Sequence, residues 1–218
     1  MQTVPQQENA YTPPAPKPVY EFFKRFFDIF LCCFALIVLS PVFLIVAIAV
    51  KCEDGGKVFF SQTRLTKNGK QFQMYKFRSM CPDADAMLEA LLDENEMEGP
   101  AFKLKKDPRV TKVGRFIRKT SIDELPQLIN VIKGDMSIVG PRPPILREVE
   151  QYTPYQMHRL DVKTGLSCYR ECHGRSNIHS FDEWVESDLK YIKERSLWVD
   201  LKVIVLTIWV VLSGKGAM

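Results

Sequence analysis

Residues 29–50 read IFLCCFALIVLSPVFLIVAIAV, 22 consecutive positions without a charged side chain and with Ser40-Pro41 near their midpoint. A straight α-helix of that length would extend roughly 33 Å, enough to cross the hydrocarbon core of a bilayer. Proline at position 41 removes a backbone hydrogen bond and crowds the preceding turn, dividing the run into two arms of roughly 15–18 Å, each reaching about halfway. Lys24 and Arg25 precede the run, and Lys51 and Lys57 follow it. With cations at both ends, the positive-inside rule selects no orientation for a crossing helix. A bent, re-entrant helix that enters and leaves by one leaflet satisfies both flanks. Pro-kinked helices that span are also common, and these residues alone leave the two readings open.

On the N-terminal side, residues 1–20 hold Pro5, Pro13, Pro14, Pro16 and Pro18 and few core-forming side chains. Such a segment buries too little apolar surface to offset its ordering entropy, so the sequence predicts a flexible tail. No small-residue cleavage site follows the apolar run, which therefore reads as retained rather than as a signal peptide. On the C-terminal side, Val58-Phe59-Phe60, the turn Lys67-Asn68-Gly69-Lys70 and the alternating stretch from Phe72 to Phe77 predict a β-hairpin.

Asp83 to Glu98 carries seven acids, with Met87, Leu88, Leu91 and Leu92 at helical spacing, and predicts a solvated amphipathic helix ending at Gly99-Pro100. Lys103 to Lys119 then sets eight basic residues against Asp107, with Lys112, Arg115 and Lys119 in one helical row. Such a row is a solvated face or, beside a membrane segment, a holder of anionic headgroups or a diphosphate. Phe181, Trp184, Val185, Leu189 and Ile192 predict a packed helix face, and Leu197 to Leu212, interrupted by Asp200 and Lys202, predicts an interfacial or core helix.

The 218 residues, 46% hydrophobic and 26% charged, suffice for one modest domain with an appendage. A net charge of +4 is too mild to indicate a nucleic-acid binder, and the basic stretch has only Phe102 and Phe116 to serve as stacking platforms. The six cysteines keep no regular spacing, and Cys32 and Cys33 lie inside the apolar run, which fits a reduced, cytosol-facing protein. Cys168 and Cys172 with His173 and His179 match no common zinc-finger spacing. P-loop, dinucleotide and G-x-S-x-G signatures are absent from the sequence.

The densest polar grouping runs from Arg118-Lys119 through Ser121, Asp123 and Glu124 to Gln127. Ser121 and Glu124 have the spacing of a capping box, which would make the acids ordinary first-turn residues. Pro126 opposes that placement, because it would sit at the fifth helical position. A helix starting nearer Asp123 puts the proline in the first turn and sets Asp123 at a helix N-terminus, where phosphate binds well. Adjacent carboxylates among cations suit metal-assisted phosphoryl transfer: one attacks phosphorus, the other holds Mg²⁺ against phosphate oxygens, and arginine takes up developing charge. In Gly140-Pro141-Arg142-Pro143 the prolines stiffen the backbone under Arg142 and lower the ordering cost of a phosphate clamp; the plainer alternative is a rigid turn with an exposed arginine.

Together these segments resemble the monotopic phosphoglycosyl transferases, the bacterial sugar transferase family that starts polysaccharide and glycoconjugate assembly. The resemblance rests on Lys24-Arg25-Phe26-Phe27-Asp28, the run with Ser40-Pro41, Phe60-x-Gln62-x-Arg64, Tyr75-Lys76-Phe77-Arg78-Ser79-Met80, and Thr111 to Ser121. It continues through Asp123-Glu124-Leu125-Pro126-Gln127, Gly134-Asp135-Met136-Ser137, Gly140-Pro141-Arg142-Pro143 and the ending from Ser196 to Ala217.

The resemblance implies transfer of a sugar 1-phosphate from a nucleotide diphosphate sugar, usually a UDP-sugar, to polyprenol phosphate, with release of UMP. Asp123 matches the nucleophile that carries the phosphosugar, and Glu124 its Mg²⁺-associated partner. Arg142 matches a phosphate-binding arginine, with Arg118, Lys119, Lys76, Arg78 and Arg175 as further substrate-binding candidates. The implied fold is α+β and mainly helical: a tail (1–20), a re-entrant membrane helix broken at Ser40-Pro41 (21–51), and a catalytic domain (52–218) with a small β-hairpin and interfacial amphipathic helices. That domain would lie on the bilayer at the cytoplasmic face of the bacterial inner membrane.

The chain reads as a compact form or catalytic fragment, and homo-oligomer formation is left open. One stretch departs from the resemblance: where many members have Pro-Gly-Ile-Thr-Gly-Leu-Trp-Gln, this chain has Thr164 to Glu171, which bears on sugar preference and on activity itself. A non-catalytic membrane scaffold that recruits glycan-assembly enzymes is the alternative of a different class.

Overall fold

The apolar run lies within helix α1, Pro18–Asp54, of a computed structural model that describes residues 11–84, 86–94, 104, 106–172 and 180–213. Helical structure is kept through Ser40-Pro41. Pro41 has no N–H for the carbonyl of Ile37, and Ser40 Oγ donates to that oxygen at 2.8 Å, replacing the bond the proline removes. The two arms are therefore distinguished by contacts rather than by a break in secondary structure. Cys32, Ala35 and Leu36 join one apolar cluster, with Phe72, Met74, Leu128, Val131 and Met136. Val42, Phe43, Val46, Ala47 and Val50 join another, with Phe77 and Ile117.

Ahead of α1, Tyr11 stacks on His158 with ring centroids 4.0 Å apart, and Lys17 Nζ donates to the carbonyl of Arg195 at 2.9 Å. The expected tail thus docks from Tyr11 onward, and α1 begins inside the span assigned to it. One aromatic ring supplies contact that a composition argument discounts. Residues 1–10 lie outside the described residues.

Strands β1 (Phe59–Leu65) and β2 (Gln71–Phe77) pair antiparallel, Leu65 opposite Gln71 and Phe59 opposite Phe77. The hairpin turn requires left-handed backbone at two residues, and Asn68 (φ 59°) and Gly69 (φ 72°) supply it. Helix α2 (Lys112–Lys119) leads by a single 3₁₀ turn into α3 (Gln127–Lys133). Asn130 on α3 is fully buried; its side chain accepts from Tyr75 N–H at 2.9 Å and donates to the Gln73 carbonyl at 2.7 Å, pinning α3 to β2.

Strands β3 (Ser137–Val139) and β4 (Gly165–Ser167) form a short parallel pair, separated in sequence by α4 (Leu146–Val149) and α5 (Pro154–Met157). Their backbones approach so closely that a Cβ on Gly165 would stand 2.1 Å from the Gly140 nitrogen. Gly165→Ala is therefore expected to cost about 3 kcal/mol of stability, read as a lowered thermal midpoint.

After β4 come α6 (Tyr169–Cys172), α7 (Phe181–Glu194) and α8 (Leu197–Ser213). The predicted α7 face is buried against Val139, Val162 and Val203. Beside it the Arg159 guanidinium meets Asp188 Oδ2 at 2.7 Å and lies over the rings of Tyr152, Phe181 and Trp184. On α8, Val203 and Asp200 are buried while Trp198, Leu201, Val205, Ile208 and Trp209 are exposed. Asp200 accepts from Tyr20, Lys24 and Tyr191, each at 2.8 Å, and so ties α1 to α7 and α8.

The acidic segment differs from its predicted helix. Its described residues form turns and one 3₁₀ helix, Glu89–Glu94, and residues 85 and 95–98 lie outside the described residues. Among the described residues few elements pack on it, and seven acids in one short run repel rather than support a helix.

Candidate active site

Strand parity delivers the first candidate side chain. Phe72, Met74 and Lys76 alternate along β2 and share one face, so Lys76 is carried beside the buried apolar pair toward the 3₁₀ turn Ile122–Glu124. There Lys76 Nζ meets Glu124 Oε1 at 2.8 Å.

Entry to that turn is set by Ser121, whose backbone is left-handed at φ 56°. The capping box is not formed: Ser121 makes no side-chain cap bond, and the Glu124 carboxylate turns to Lys76 instead. Asp123 and Glu124 therefore sit in a one-turn 3₁₀ element that feeds α3 through Leu125 and Pro126, with the proline before the first α-helical residue.

Asp123 is 6% exposed. Burial pushes its carboxyl above the ordinary aspartate value; Lys76 pulls it back, Glu124 pushes it further up, and Arg118 and Arg142 lower it. Arg142 stands on the turn after β3 with its side chain 34% exposed, Nη1 lying 3.1 Å from Glu171 Oε1 and 3.9 Å from Glu124 Oε1. Met74, Lys76, Glu124, Gln127, Arg142 and Leu166 line the cleft between these groups.

Not every candidate cation is brought here. Arg118 anchors its Nε on Ser79 Oγ at 2.8 Å and lies within electrostatic reach of Asp123. Lys119 is exposed on α2. Arg78 is ion-paired with Asp54 and donates to the Val50 carbonyl at 3.4 Å, which places it at the C-terminus of α1, where a cation complements the helix dipole. Arg175, like His173 and His179, lies outside the described residues.

Two residues were not singled out from sequence. Arg64 donates from Nη1 to the Pro143 carbonyl at 2.9 Å, and Leu65 N–H bonds the Pro144 carbonyl at 3.0 Å, so the end of β1 holds the turn that carries Arg142. Burial, with Arg142 adding to it, lowers the Arg64 guanidinium to about 10. Arg64 belongs to the Gln62-x-Arg64 motif, but nothing there shows that its target is a carbonyl. Glu171 is the second, and its only signal is its place in the departing stretch.

Among the described residues no cluster of three or more His, Cys, Asp or Glu side chains forms a metal cage. The Asp123-Glu124 pair is an all-oxygen donor set of two carboxylates. It suits a hard cation that keeps several waters and shares phosphate oxygens with a substrate.

The structure thus sets one long apolar helix on an α+β body, with a carboxylate pair among cations at a cleft. The chain belongs to the bacterial sugar transferase family, whose sequence profile matches residues 19–214. It is 50% identical over 194 residues to the galactosyl transferase CpsE of Streptococcus agalactiae, covering 89% of this chain and 43% of that protein. It is 39% identical over 207 residues to the exopolysaccharide production protein ExoY of Rhizobium meliloti, covering 93% and 91%. Over 206 residues it is 39% identical to the UDP-glucose:undecaprenyl-phosphate glucose-1-phosphate transferase of Escherichia coli K12, covering 91% and 42%. The chain thus spans less than half of the first and third of these relatives and nearly all of the second.

Proposed function

We propose that this chain transfers a sugar 1-phosphate from a UDP-sugar to polyprenol phosphate and releases UMP, as the first membrane step of polysaccharide or glycoconjugate assembly. The observation that carries this reading is the buried Asp123 beside Glu124, with Lys76 and Arg142 at the same cleft. The names of the relatives, which include an undecaprenyl-phosphate glucose-1-phosphate transferase, agree with it.

In the first step an Asp123 carboxylate oxygen attacks the phosphorus that bears the sugar, the bond to the bridging oxygen breaks, and UMP leaves with that electron pair. In the second, a phosphate oxygen of the lipid attacks the same phosphorus and Asp123 departs as carboxylate. Arg142 and Lys76 hold the phosphate oxygens, and burial of the turn limits attack by water on the acyl phosphate. Bound Mg²⁺, for which Glu124 and Asp123 are the protein ligands in this reading, supplies neutralisation of the diphosphate charge.

The lipid acceptor calls for a site near the bilayer. From Phe22, Phe26 and Phe30 to Ile37, Leu44 and Ile48 the exposed side of α1 is apolar but for Ser40, whose hydroxyl is bonded to the Ile37 carbonyl. A spanning helix carries its ends to opposite surfaces roughly 30 Å apart. In α1 both arms pack on the one body that holds the cleft, which supports the re-entrant reading and a single cytoplasmic side. In an otherwise cysteine-free protein, Thr12→Cys and Asn68→Cys should both escape an impermeant thiol reagent applied outside intact cells. Labelling of position 12 alone would sink the re-entrant topology.

The direct test is UMP release from a UDP-sugar panel with polyprenol phosphate and Mg²⁺. Multiple-turnover release that depends on both substrates supports the enzyme, and silence with every donor would leave the scaffold reading in its place.

A further inference from the structure

We propose that Glu171 is the positioning residue of Arg142 and that its carboxylate sets how tightly the site holds nucleotide phosphate. This deepens the function proposed above and rests on it.

The two side chains meet because of the parallel pair. Arg142 leaves the end of β3 and Glu171 follows the end of β4, and bonds across the pair fix both departures: Gly140 N–H to the Ser167 carbonyl at 2.9 Å and Gly165 N–H to the Pro141 carbonyl at 2.8 Å. The carboxylate lies on the inner side, with its side chain 7% exposed, while a third of the Arg142 side chain remains open. Glu171 Oε1 takes Nη1 at 3.1 Å. A guanidinium has five donors in a rigid plane, so fixing one edge orients the rest. Glu171 is thus a scaffold for the arginine and the inner neighbour of any phosphate that Arg142 binds.

The same contact has an electrostatic consequence. At the cleft Lys76 and Arg142 are matched by Glu124 and Glu171. A phosphate on the open edge of Arg142 feels the Glu171 charge from roughly 6 Å away, which at an effective dielectric of about 40, between that of a protein surface and water, weakens its binding by about tenfold. Such weakening falls on donor and on leaving UMP alike, and it favours release where release limits turnover.

The test uses UDP with Mg²⁺ as the probe and the full chain in lipid nanodiscs, by titration calorimetry. Glu171→Gln keeps the shape and the acceptor oxygen but removes the charge, and should tighten UDP about tenfold while slowing multiple-turnover UMP release. In an Arg142→Met background the same Gln substitution should change UDP affinity less than twofold, because without the guanidinium no phosphate is seated within reach of the Glu171 charge. Glu171→Asp keeps the charge on a shorter arm, so UDP affinity should stay within about twofold of the parent while kcat falls; this variant carries the test if the Gln protein does not fold. Parent and Glu171→Gln proteins that bind UDP equally, or the same tightening in the Arg142→Met background, would overturn the inference and leave the transferase reading standing. A parent that does not bind UDP would remove the UDP-sugar donor first and the inference with it.

Discussion

Asp123→Asn should abolish the proposed UMP release and sugar phosphate transfer, with turnover down by ~10⁴-fold or more, the scale on which loss of a nucleophile is felt in covalent catalysis. The amide keeps the shape of the side chain and its buried place, so the loss isolates the attacking oxygen. The parent protein, given UDP-sugar labelled in the sugar and no polyprenol phosphate, should retain one sugar phosphate per chain, on a peptide containing Asp123. Transfer that proceeds only when both substrates are bound, with no adduct under rapid quench, would replace the two-step reaction by direct attack of the lipid phosphate.

The same substitution should act on stability in the opposite direction. Burial raises the Asp123 carboxyl, so the folded chain binds a proton there more readily than the unfolded chain does. Stability therefore falls as pH rises above the ordinary aspartate value and through the raised one. In metal-free buffer near neutral pH, Asp123→Asn should melt above the parent, with the gap closing toward pH ~4. A parent as stable as the variant at neutral pH would show that the neighbouring cations fully compensate the buried charge.

Asp188→Ala carries the largest expected cost to the fold. Arg159 and Asp188 are each 1% exposed, and removing the acid leaves a guanidinium deep in the α7 core with its charge unmatched. Loss of one member of such a pair costs about 3–5 kcal/mol. For a chain of this size that lowers the thermal midpoint by about 10 °C. Arg159 also keeps its contacts with three aromatic rings, so a much smaller shift would mean that those faces hold the cation without its carboxylate.

What could be read from the sequence follows the range over which each signal acts. Asn68-Gly69 announced the hairpin because a two-residue conformational demand is local. The α7 face was legible because its apolar residues repeat at helical spacing; Pro126 rightly moved the helix start beyond Ser121, but the α-helix begins only at Gln127, and Asp123 lies in the 3₁₀ turn before it rather than at the helix N-terminus. Lys76 entered through the family motif alone, since its partner Glu124 is 48 residues away and alternation gives the strand face but not the opposing element. Arg78 shows the complementary difficulty: a cation in a motif does not announce which anion it will meet, and here Asp54 lies nearer than the cleft. Glu171 was hidden because β3 and β4 are three residues each, too short for a period. Tyr11 escaped a composition argument that averages over a segment.

The way α1 is fastened has a bearing on how a water-soluble donor and a lipid are brought together. At its first arm Arg25 donates to the carbonyls of Val131 and Ile132, and Asp28 accepts from Ser137 Oγ and Ile138 N–H; at its second, Val46 and Val50 are sunk beside Phe77. Val131 and Ile132 belong to α3, the helix that Asp123 and Glu124 lead into. The helix is built like a caliper: on the proposed function, a shift in how deeply it sits in a bilayer would pass through these contacts to α3 and the carboxylate pair. On the proposed function, bilayer thickness and headgroup packing would become kinetic variables, since they would set the altitude at which a polyprenol phosphate must present its phosphate to be reached.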